Sequence, residues 1–275
     1  MEIKINGNLL DFSLDEENTL GEVLANLEGW LSNSGHRIAN LSIDGNEVNA
    51  SMVESAFSKK VESIKSIEIK TIIIADLTSE SLQSLLKDID DFENLNFDEK
   101  KNFHDTWKES AEAQYISAEI PDLFAYCVNT FLNGELNPLV LRSIVEEIQR
   151  EVNEPADELK KIEPVLNEIC DRLIELPLDI QTGKDARAAQ TIQLFSAITE
   201  KIFRIVRQLD TQNYLDKTEK IKPLTQLITE FGNILKDLLE AYEKNDSVLV
   251  GDITEYEASV KIKELYTTIL EQVKT

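Results

Sequence analysis

Two acidic residues near the carboxyl end of the chain have a spacing that could support chemistry. Asp252 and Glu255 lie three residues apart, so on a helix they would share one face. Such a pair could bind a divalent cation or serve as an acid and a base. Carboxylate metal sites in helical bundles, however, take acids from several helices and usually a Glu-x-x-His motif. Neither His36 nor His104 belongs to such a motif, so the sequence predicts no metal and no cofactor.

The residues around these acids favour an interaction site at the start of a helix. Asp246 is the expected N-cap, and Ile253 and Tyr256 are expected to face the core. Gly251 within a helix costs about 1 kcal/mol relative to alanine, which predicts close packing of another backbone or a bound partner, with packing favoured. The candidate interaction residues of this segment are Asp246, Gly251, Asp252, Glu255 and Tyr256.

A second part of the candidate site is the stretch LPLDIQTGKDARAAQ, residues 176–190, which is predicted as the longest non-helical interval after the β-rich region. We expect Gly183 to allow a turn and Asp185 to cap the helix that follows. The GKD sequence lacks the earlier glycine and the following Ser or Thr of a phosphate-binding loop, so Lys184 is expected in a solvated connector. We hypothesise that Gly183 and Lys184 face the acidic segment.

The cysteines and histidines do not predict a nucleophilic pair. Cys127 and Cys170 each lie within an apolar helical pattern, which predicts buried, reduced thiols. His104 is expected to be exposed or to make a local hydrogen bond, and His36 is expected in a loop that ends a helix, where it complements the helix dipole. Neither a Cys-x-x-Cys nor a Gly-x-Ser-x-Gly motif occurs in the sequence. We therefore predict a protein that is not an enzyme.

The charge of the chain limits the partners that it can bind. The sequence has 28 Lys and Arg against 52 Asp and Glu, a formal net charge of -24. Such a surface repels nucleic acid and anionic lipid, and it suits a partner protein that is basic or neutral, although it can also serve solubility alone. No apolar run is long enough to span a bilayer and no secretion signal begins the sequence, so we expect a cytoplasmic protein.

Apolar residues at helical spacing dominate the larger part of the chain. Residues 189–275 contain three successive apolar stripes with steps of three and four, which predicts three helices that cover one another. Asn96 with Glu99 predicts another capped helix, and Pro177 is expected to end a helix. We predict an acidic α-helical domain over residues 76–275.

The first 75 residues follow a different pattern, in which apolar residues alternate with polar ones. Asn6-Gly7 and Asp44-Gly45 predict two-residue hairpin turns, and Thr19 with Glu22 predicts a capping box at the start of a helix. An isoleucine-rich segment then predicts a last strand. The predicted order is two strands, a helix, two strands and a final strand.

This order resembles the ubiquitin-like β-grasp modules, as do the turn sequences MEIKINGNLL and LSIDGNEV. Conjugating and sulfur-carrying members of that family act through a free carboxyl-terminal Gly-Gly. Here the last strand, SIEIKTIIIADL, continues into more protein, so neither activity is carried over. The resemblance implies a small domain over residues 1–75 whose sheet face or edge serves as a docking surface.

Taken together, the sequence predicts an α+β protein in which a small amino-terminal β-grasp-like domain precedes a larger all-α helical bundle domain. The predicted function is that of a non-enzymatic, cytoplasmic protein-interaction factor, such as an adaptor, scaffold or chaperone-like protein. Two alternatives stay open. One is a carboxylate-based, metal-dependent helical enzyme, and the other is an acidic mimic of nucleic acid that binds a basic partner.

Overall fold

A computed structural model describes residues 1–11, 17–49, 52–215, 221–244 and 246–273. The predicted α+β class is confirmed, because an amino-terminal sheet precedes a long series of helices. The chain divides into two compact units, the first unit Met1–Gln149 and the second unit Arg150–Thr275. The first unit therefore contains the sheet and several helices. The domain boundary predicted after residue 75 marks the change from strand-rich to helical sequence, and it stays a prediction.

Five strands form one sheet in the order β2-β1-β5-β3-β4. Strand β1 is parallel to β5, and the other neighbours are antiparallel. Both predicted hairpin turns are confirmed, since Asn6-Gly7 and Asp44-Gly45 have the positive φ angles of type I′ turns, 50° and 81° in the first and 49° and 83° in the second. The strands are β1 (Glu2–Ile5), β2 (Asn8–Leu9), β3 (His36–Ile43), β4 (Asn46–Glu47) and β5 (Ser66–Ile73).

One long helix covers a face of this sheet. Helix α1 (Leu20–Asn33) begins with the predicted capping box, in which the Glu22 amide donates to Thr19 Oγ1 and the Glu22 carboxylate accepts from the Thr19 amide. Its apolar face joins the strands in one buried cluster that includes Leu27 and Ile67. The short helix α2 (Val53–Phe57) and a 3-10 turn (Val61–Ser63) precede β5.

Five further helices begin after the sheet, and the last of them crosses the boundary between the two units. They are α3 (Ile74–Asn94), α4 (Phe97–Trp107), α5 (Ala111–Glu119), α6 (Pro121–Phe131) and α7 (Pro138–Asn153). Helix α4 begins as predicted, because Asn96 Oδ1 accepts hydrogen bonds from the amides of Asp98 and Glu99 at 3.0 and 3.1 Å.

The second unit is helical, and the three predicted apolar stripes lie in helices that share one core. Phe195, Phe231 and Ile262 belong to its buried cluster. The third stripe is interrupted by a π-helical turn, in which the backbone gains one residue per turn. The elements are α8 (Pro155–Gln181), α9 (Asp185–Thr211), α10 (Ile221–Glu243), α11 (Ser247–Asp252), the π turn (Ile253–Ala258) and α12 (Ser259–Gln272).

The prediction that Pro177 ends a helix is wrong. Helix α8 continues through Pro177 to Gln181, so only residues 182–184 separate it from α9. Proline removes one backbone hydrogen bond, but Leu173 and Leu176 in the turn before it are fully buried, and this packing holds the helix together.

Within the part of the chain that the structure describes, no helix combines the length and the apolar character that crossing a membrane requires.

Candidate functional site

The predicted interaction segment begins as expected and packs tightly. Asp246 caps α11, because its Oδ1 accepts a hydrogen bond from the Leu249 amide at 3.0 Å. Gly251 is buried against α8, and a Cβ added there would lie 3.0 Å from Pro177 Cβ and 3.1 Å from Pro177 Cγ. The predicted close packing is therefore confirmed, with the ring of Pro177 occupying the space that a side chain would need.

The prediction that Tyr256 faces the core is wrong. Ile253 is buried as expected, but Tyr256 is 65% exposed, while Thr254 is completely buried. The π turn explains the difference, because its extra residue rotates the following side chains by roughly 100° relative to an α-helix.

Asp252, Glu255 and Tyr256 consequently form a polar group near the surface. A hydrogen bond with the Glu255 carboxylate raises the pKa of the Tyr256 hydroxyl, and the negative charges of Glu255 and Asp252 raise it further. Among the described residues, no three His, Cys, Asp or Glu side chains converge as a metal site would require. The group is thus an exposed acidic patch next to a phenol.

The other predicted residues, Gly183 and Lys184, stabilise the turn between α8 and α9. Gly183 adopts a positive φ of 71°, as the turn requires. Lys184, and not Asp185, is the N-cap residue of α9. Its Nζ lies 3.4 Å from Asp179 Oδ1, and Arg187 Nε lies 2.9 Å from Asp179 Oδ2. Because Asp179 is only 2% exposed, Lys184 helps to neutralise a buried carboxylate.

The two predicted parts of this site lie side by side. Asp185, directly after Lys184, and Ser247, directly after Asp246, line one cavity of about 360 Å³. Tyr242 and Val250 also contribute to its wall, so the cavity is mainly apolar.

Both cysteines are buried and reduced, as predicted. Burial raises the pKa of the Cys127 thiol to about 12 and that of Cys170 to about 11. His104 differs from its prediction, because it is only 9% exposed and neither ring nitrogen makes a hydrogen bond. It packs near Trp107 in the first unit, with ring centroids 6.3 Å apart. His36 lies at the start of β3, where its Nδ1 is 2.9 Å from the Ser34 carbonyl oxygen.

An apolar groove, here the β3 groove, lies between α1, β3 and α2 and has a volume of about 460 Å³. Among the described residues, β4 pairs with β3 at Ser42 and Ile43, and the Val48 amide donates to the Leu41 carbonyl oxygen at 2.8 Å. Residues 36–40 of β3 therefore form an edge of the sheet on this side. On this edge the Ile38 amide donates to Glu28 Oε2 at 3.2 Å. The groove is lined by Gly21, Leu24, Ala25, Glu28, Ile38, Ala39, Asn40, Leu41, Val48, Val53 and Phe57.

A second cavity in the first unit, here the Asp88 pocket, combines acids with aromatic rings and has a volume of about 510 Å³. Burial raises the pKa of Asp88 to about 6, the negative charge of Glu112 adds to the rise, and the nearby Trp107 N–H group lowers it by less. The geometry between Asp88 and Trp107 is too poor for a hydrogen bond, so Asp88 Oδ2 and Trp107 Nε1 are buried without a partner. The pocket is lined by Asp88, Leu95, Glu99, Asn102, Phe103, Thr106, Trp107, Ser110 and Glu112.

One sequence signal marks this pocket, namely the position of Asp88 beside the apolar stripe of α3. Asp88 lies three residues after Leu85 and four before Phe92, both of which are buried on α3. An acid at these spacings lies beside the apolar stripe and is drawn partly into the interior. In the sequence it was only one of eleven acids between residues 76 and 118.

Comparison with known proteins gives two family matches that cover different parts of the chain. Residues 1–73 are similar to the family described as TP0873 N-terminal domain, and residues 157–268 are similar to a domain of unknown function, DUF8042. An uncharacterised protein of Treponema pallidum (strain Nichols) is 21% identical over 272 residues, which cover 98% of this chain and 96% of the relative. No solved structure matches the chain.

Proposed function

We propose that the protein is a non-enzymatic, cytoplasmic interaction factor that binds an extended segment of another protein in the β3 groove. The observation that carries this proposal is the unpaired first part of β3 beside an apolar groove. An extended peptide can add a strand to such an edge, with its backbone bonded to β3 and alternate side chains in the groove.

The arrangement of the sheet supports a docking role. The order β2-β1-β5-β3-β4 with parallel β1 and β5, covered by α1, is that of ubiquitin-like β-grasp domains, which the sequence resembles. We take the amino-terminal sheet to be such a domain. Its continuation into α3 supports a role in binding and not in conjugation.

Charge around the groove favours a basic or neutral partner. Glu28 lines the groove, and Glu47 and Glu54 adjoin the lining residues Val48 and Val53. Among the described residues that line the groove there is no Lys or Arg. A peptide with apolar residues at alternate positions and flanking Lys or Arg would match this surface.

The test uses the full-length chain and a displayed library of random peptides. We expect selection to enrich peptides with alternating apolar and flanking basic residues. The best peptide is then titrated by fluorescence polarisation, and hydrogen exchange is measured at the amides of residues 38–41. Binding that protects these amides would support the proposal, whereas a failure to enrich peptides, or protection elsewhere, would contradict it.

Two variants of α1 separate groove binding from general electrostatics. Ala25→Arg places a long cation in the groove, because Ala25 lines it and is exposed. Gly29→Arg makes the same charge change on the same helix, at a position with no atom within 4 Å of an added Cβ. We expect Ala25→Arg to weaken peptide binding at least about tenfold and Gly29→Arg to change it less than about twofold.

A further inference from the structure

We propose that the Asp88 pocket binds an organic cation, namely an ammonium or guanidinium group on an apolar stem. This site is separate from the β3 groove, so each proposal can fail without the other.

Within the described part of the chain, no Lys or Arg forms an ion pair with the acids of the pocket. Asp88 Oδ2 is buried without a hydrogen bond, and Glu112 accepts only a long hydrogen bond, 3.4 Å, from Ser84 Oγ. Glu99 adds a third acid to the wall, and the described lining residues include no Lys, Arg or His. Lys87 makes only the smallest of the contributions that shift the pKa of Asp88. A ligand cation would therefore supply charge that the protein itself does not.

Two aromatic residues, Phe103 and Trp107, line the pocket together with the acids, and their rings pack against other aromatic rings. The Trp107 ring stacks on Phe124 with centroids 5.5 Å apart and contacts Phe131 edge-on at 5.1 Å. Phe103 contacts Phe131 in the same way, also at 5.1 Å. Fixed rings beside carboxylates favour a cation, because the ring faces attract positive charge and also cover an apolar stem.

The indole of Trp107 gives an independent indication that the pocket is built for a ligand. Trp107 is only 4% exposed, yet its N–H group, which lies beside Asp88, has no hydrogen-bond partner. Buried polar groups are nearly always satisfied in native proteins, so an unsatisfied pair at one cavity is unusual. A cation bound beside Asp88 would favour the ionised carboxylate, the form that the nearby Trp107 N–H group also favours because it lowers the pKa of Asp88.

The size of the pocket selects an organic cation over a metal ion. Its volume of about 510 Å³ lies within the range of about 300 to 1,000 Å³ that is usual for small-molecule sites. A butylguanidinium or butylammonium ion is the simplest ligand with the required head and stem.

The experiment follows the indole N–H signals of the full-length protein by NMR during titration with butylguanidinium chloride and butylammonium chloride at constant ionic strength. The chain has two tryptophans, so Trp30, which is exposed and lies on α1, is an internal control. We expect the Trp107 signal to shift and saturate while the Trp30 signal stays in place. An unchanged Trp107 signal, or the same shift with sodium butyrate or sodium chloride, would overturn the proposal.

Three variants test whether the acids bind the cation. Asp88→Asn and Glu112→Gln keep the shape of the pocket and remove one charge each. We expect each to weaken binding about tenfold, the order expected for one charge-assisted hydrogen bond. Asp98→Asn removes the same charge from an exposed position on α4 and is expected to bind as the wild type does. Equal affinity in Asp88→Asn and wild type would refute the site.

Titration with a capped peptide that carries one arginine between alanines distinguishes two sources of the cation, a side chain of a partner protein and a free small molecule. If the peptide shifts Trp107 as butylguanidinium does, the pocket accepts a side chain presented by a protein. If only the free ions bind, the ligand is a small amine or guanidine, and either result retains the cation site.

A pH series gives a further readout. Groups near Asp88 are Glu112 on α5, Asp91 and Lys87 on α3, and the Cys127 thiol on α6, whose raised pKa keeps it neutral. Since the pKa of Asp88 is about 6, we expect affinity to fall between pH 7.5 and 5 in the wild type and to vary less in Asp88→Asn. A wild-type affinity that does not change with pH would contradict a role for the Asp88 carboxylate.

Discussion

Buried acids have opposite surroundings in the two units of the chain. In the second unit, Glu151 is 1% exposed, and its two carboxylate oxygens accept hydrogen bonds from Arg204 at 2.8 and 2.9 Å. Glu158 is similarly buried and contacts Lys161 at 2.7 Å and Lys201 at 3.5 Å. In the first unit, the partly buried Asp88 faces Glu112 and an unsatisfied indole.

The pKa values show what this difference means. Burial tends to raise the pKa of both Asp88 and Glu158. At Glu158 the hydrogen bonds and charges of Lys161 and Lys201 outweigh burial and lower the pKa, whereas at Asp88 nothing of comparable strength opposes it. Glu151 and Glu158 in the second unit are thus buried acids with cationic partners. The ionised form of Asp88 is instead unfavourable in the folded protein, and a bound cation would stabilise it.

The largest expected effect comes from breaking a pair in the second unit. Among the described residues, Arg204→Met leaves the buried Glu151 carboxylate with Lys201, 3.8 Å away, as its one remaining cation. Removing one partner of a buried ion pair strands the other charge, so we expect the free energy of unfolding to fall by about 3 kcal/mol. Urea denaturation followed by circular dichroism measures this change.

The matched control replaces both partners. In the double variant Glu151→Leu with Arg204→Met the Glu151 carboxylate is no longer stranded, and we expect stability to return to within about 1 kcal/mol of the wild type. A single variant as stable as the wild type would mean that the pair does not stabilise the second unit.

The space around a glycine distinguishes two helices of the second unit, and a smaller effect is expected from adding a side chain there. Gly251→Ala places a Cβ 3.0 Å from Pro177, and overpacking typically costs about 1 to 3 kcal/mol. Alanine favours a helix over glycine by about 1 kcal/mol, so we expect a net loss of up to about 2 kcal/mol in the free energy of unfolding. Thermal and urea denaturation would measure it.

Gly232→Ala on α10 is the control, because an added Cβ there meets no atom within 4 Å. We expect it to stabilise the protein by about 0.5 to 1 kcal/mol through helix propensity alone. If Gly251→Ala were equally stabilising, the contact with Pro177 would not be close packing.

In the first unit, removing a charge is expected to stabilise the fold. The folded-state pKa of Asp88, about 6, lies above the ordinary value of 3.8 for an aspartate, so ionised Asp88 destabilises the protein at pH 7. This penalty disappears as the pH falls through 6 toward 3.8. We expect Asp88→Asn to raise the free energy of unfolding at pH 7 by about 1 to 2 kcal/mol, a value reduced for partial solvent exposure, and to show no such gain at pH 4.

Glu158→Gln gives the opposite pH dependence and completes this test. The pKa of Glu158 is lowered from 4.5, so its ionised form stabilises the fold above that pH, and the contribution is lost as the pH falls through the folded-state pKa. We therefore expect Glu158→Gln to destabilise the protein at pH 7 and to approach the wild type in acid. If the free energy of unfolding of Asp88→Asn and Glu158→Gln changed with pH in the same way, the opposite pKa shifts of the two acids would be contradicted.

The features that the sequence predicted correctly are set by neighbouring residues. The turn at Asn6-Gly7 needs two residues that tolerate positive φ, and the caps at Thr19, Asn96 and Asp246 need a side chain within three residues of the amide. The helical stripes of the second unit follow from their apolar period. These signals are local, and a sequence contains them directly.

The errors arose where distant packing decides the outcome. Pro177 is kept within α8 by its surroundings, including the face of Gly251, and the π turn that exposes Tyr256 has no propensity signal of its own. The Asp88 pocket joins residues from α3, α4 and the start of α5, and its lining, within the described part of the chain, holds three acids and no Lys, Arg or His. No spacing within one helix predicts that arrangement.

The smallest effect is expected at the exposed acids of the originally predicted site. Asp252 lies on the surface of α11, so solvent screens its charge, and we expect Asp252→Asn to change the free energy of unfolding by less than about 0.5 kcal/mol. Thermal denaturation with and without Mg²⁺, Mn²⁺ or Zn²⁺ extends the measurement to the metal-dependent alternative. A metal ion that bound Asp252 and Glu255 in the folded state alone would raise the melting temperature of the wild type and not of Asp252→Asn. Such a shift would show that Asp252 and Glu255 also form a ligand site. The acids of the two units would then differ in the ligand that they bind, a metal ion or an organic cation, and not in whether they bind one.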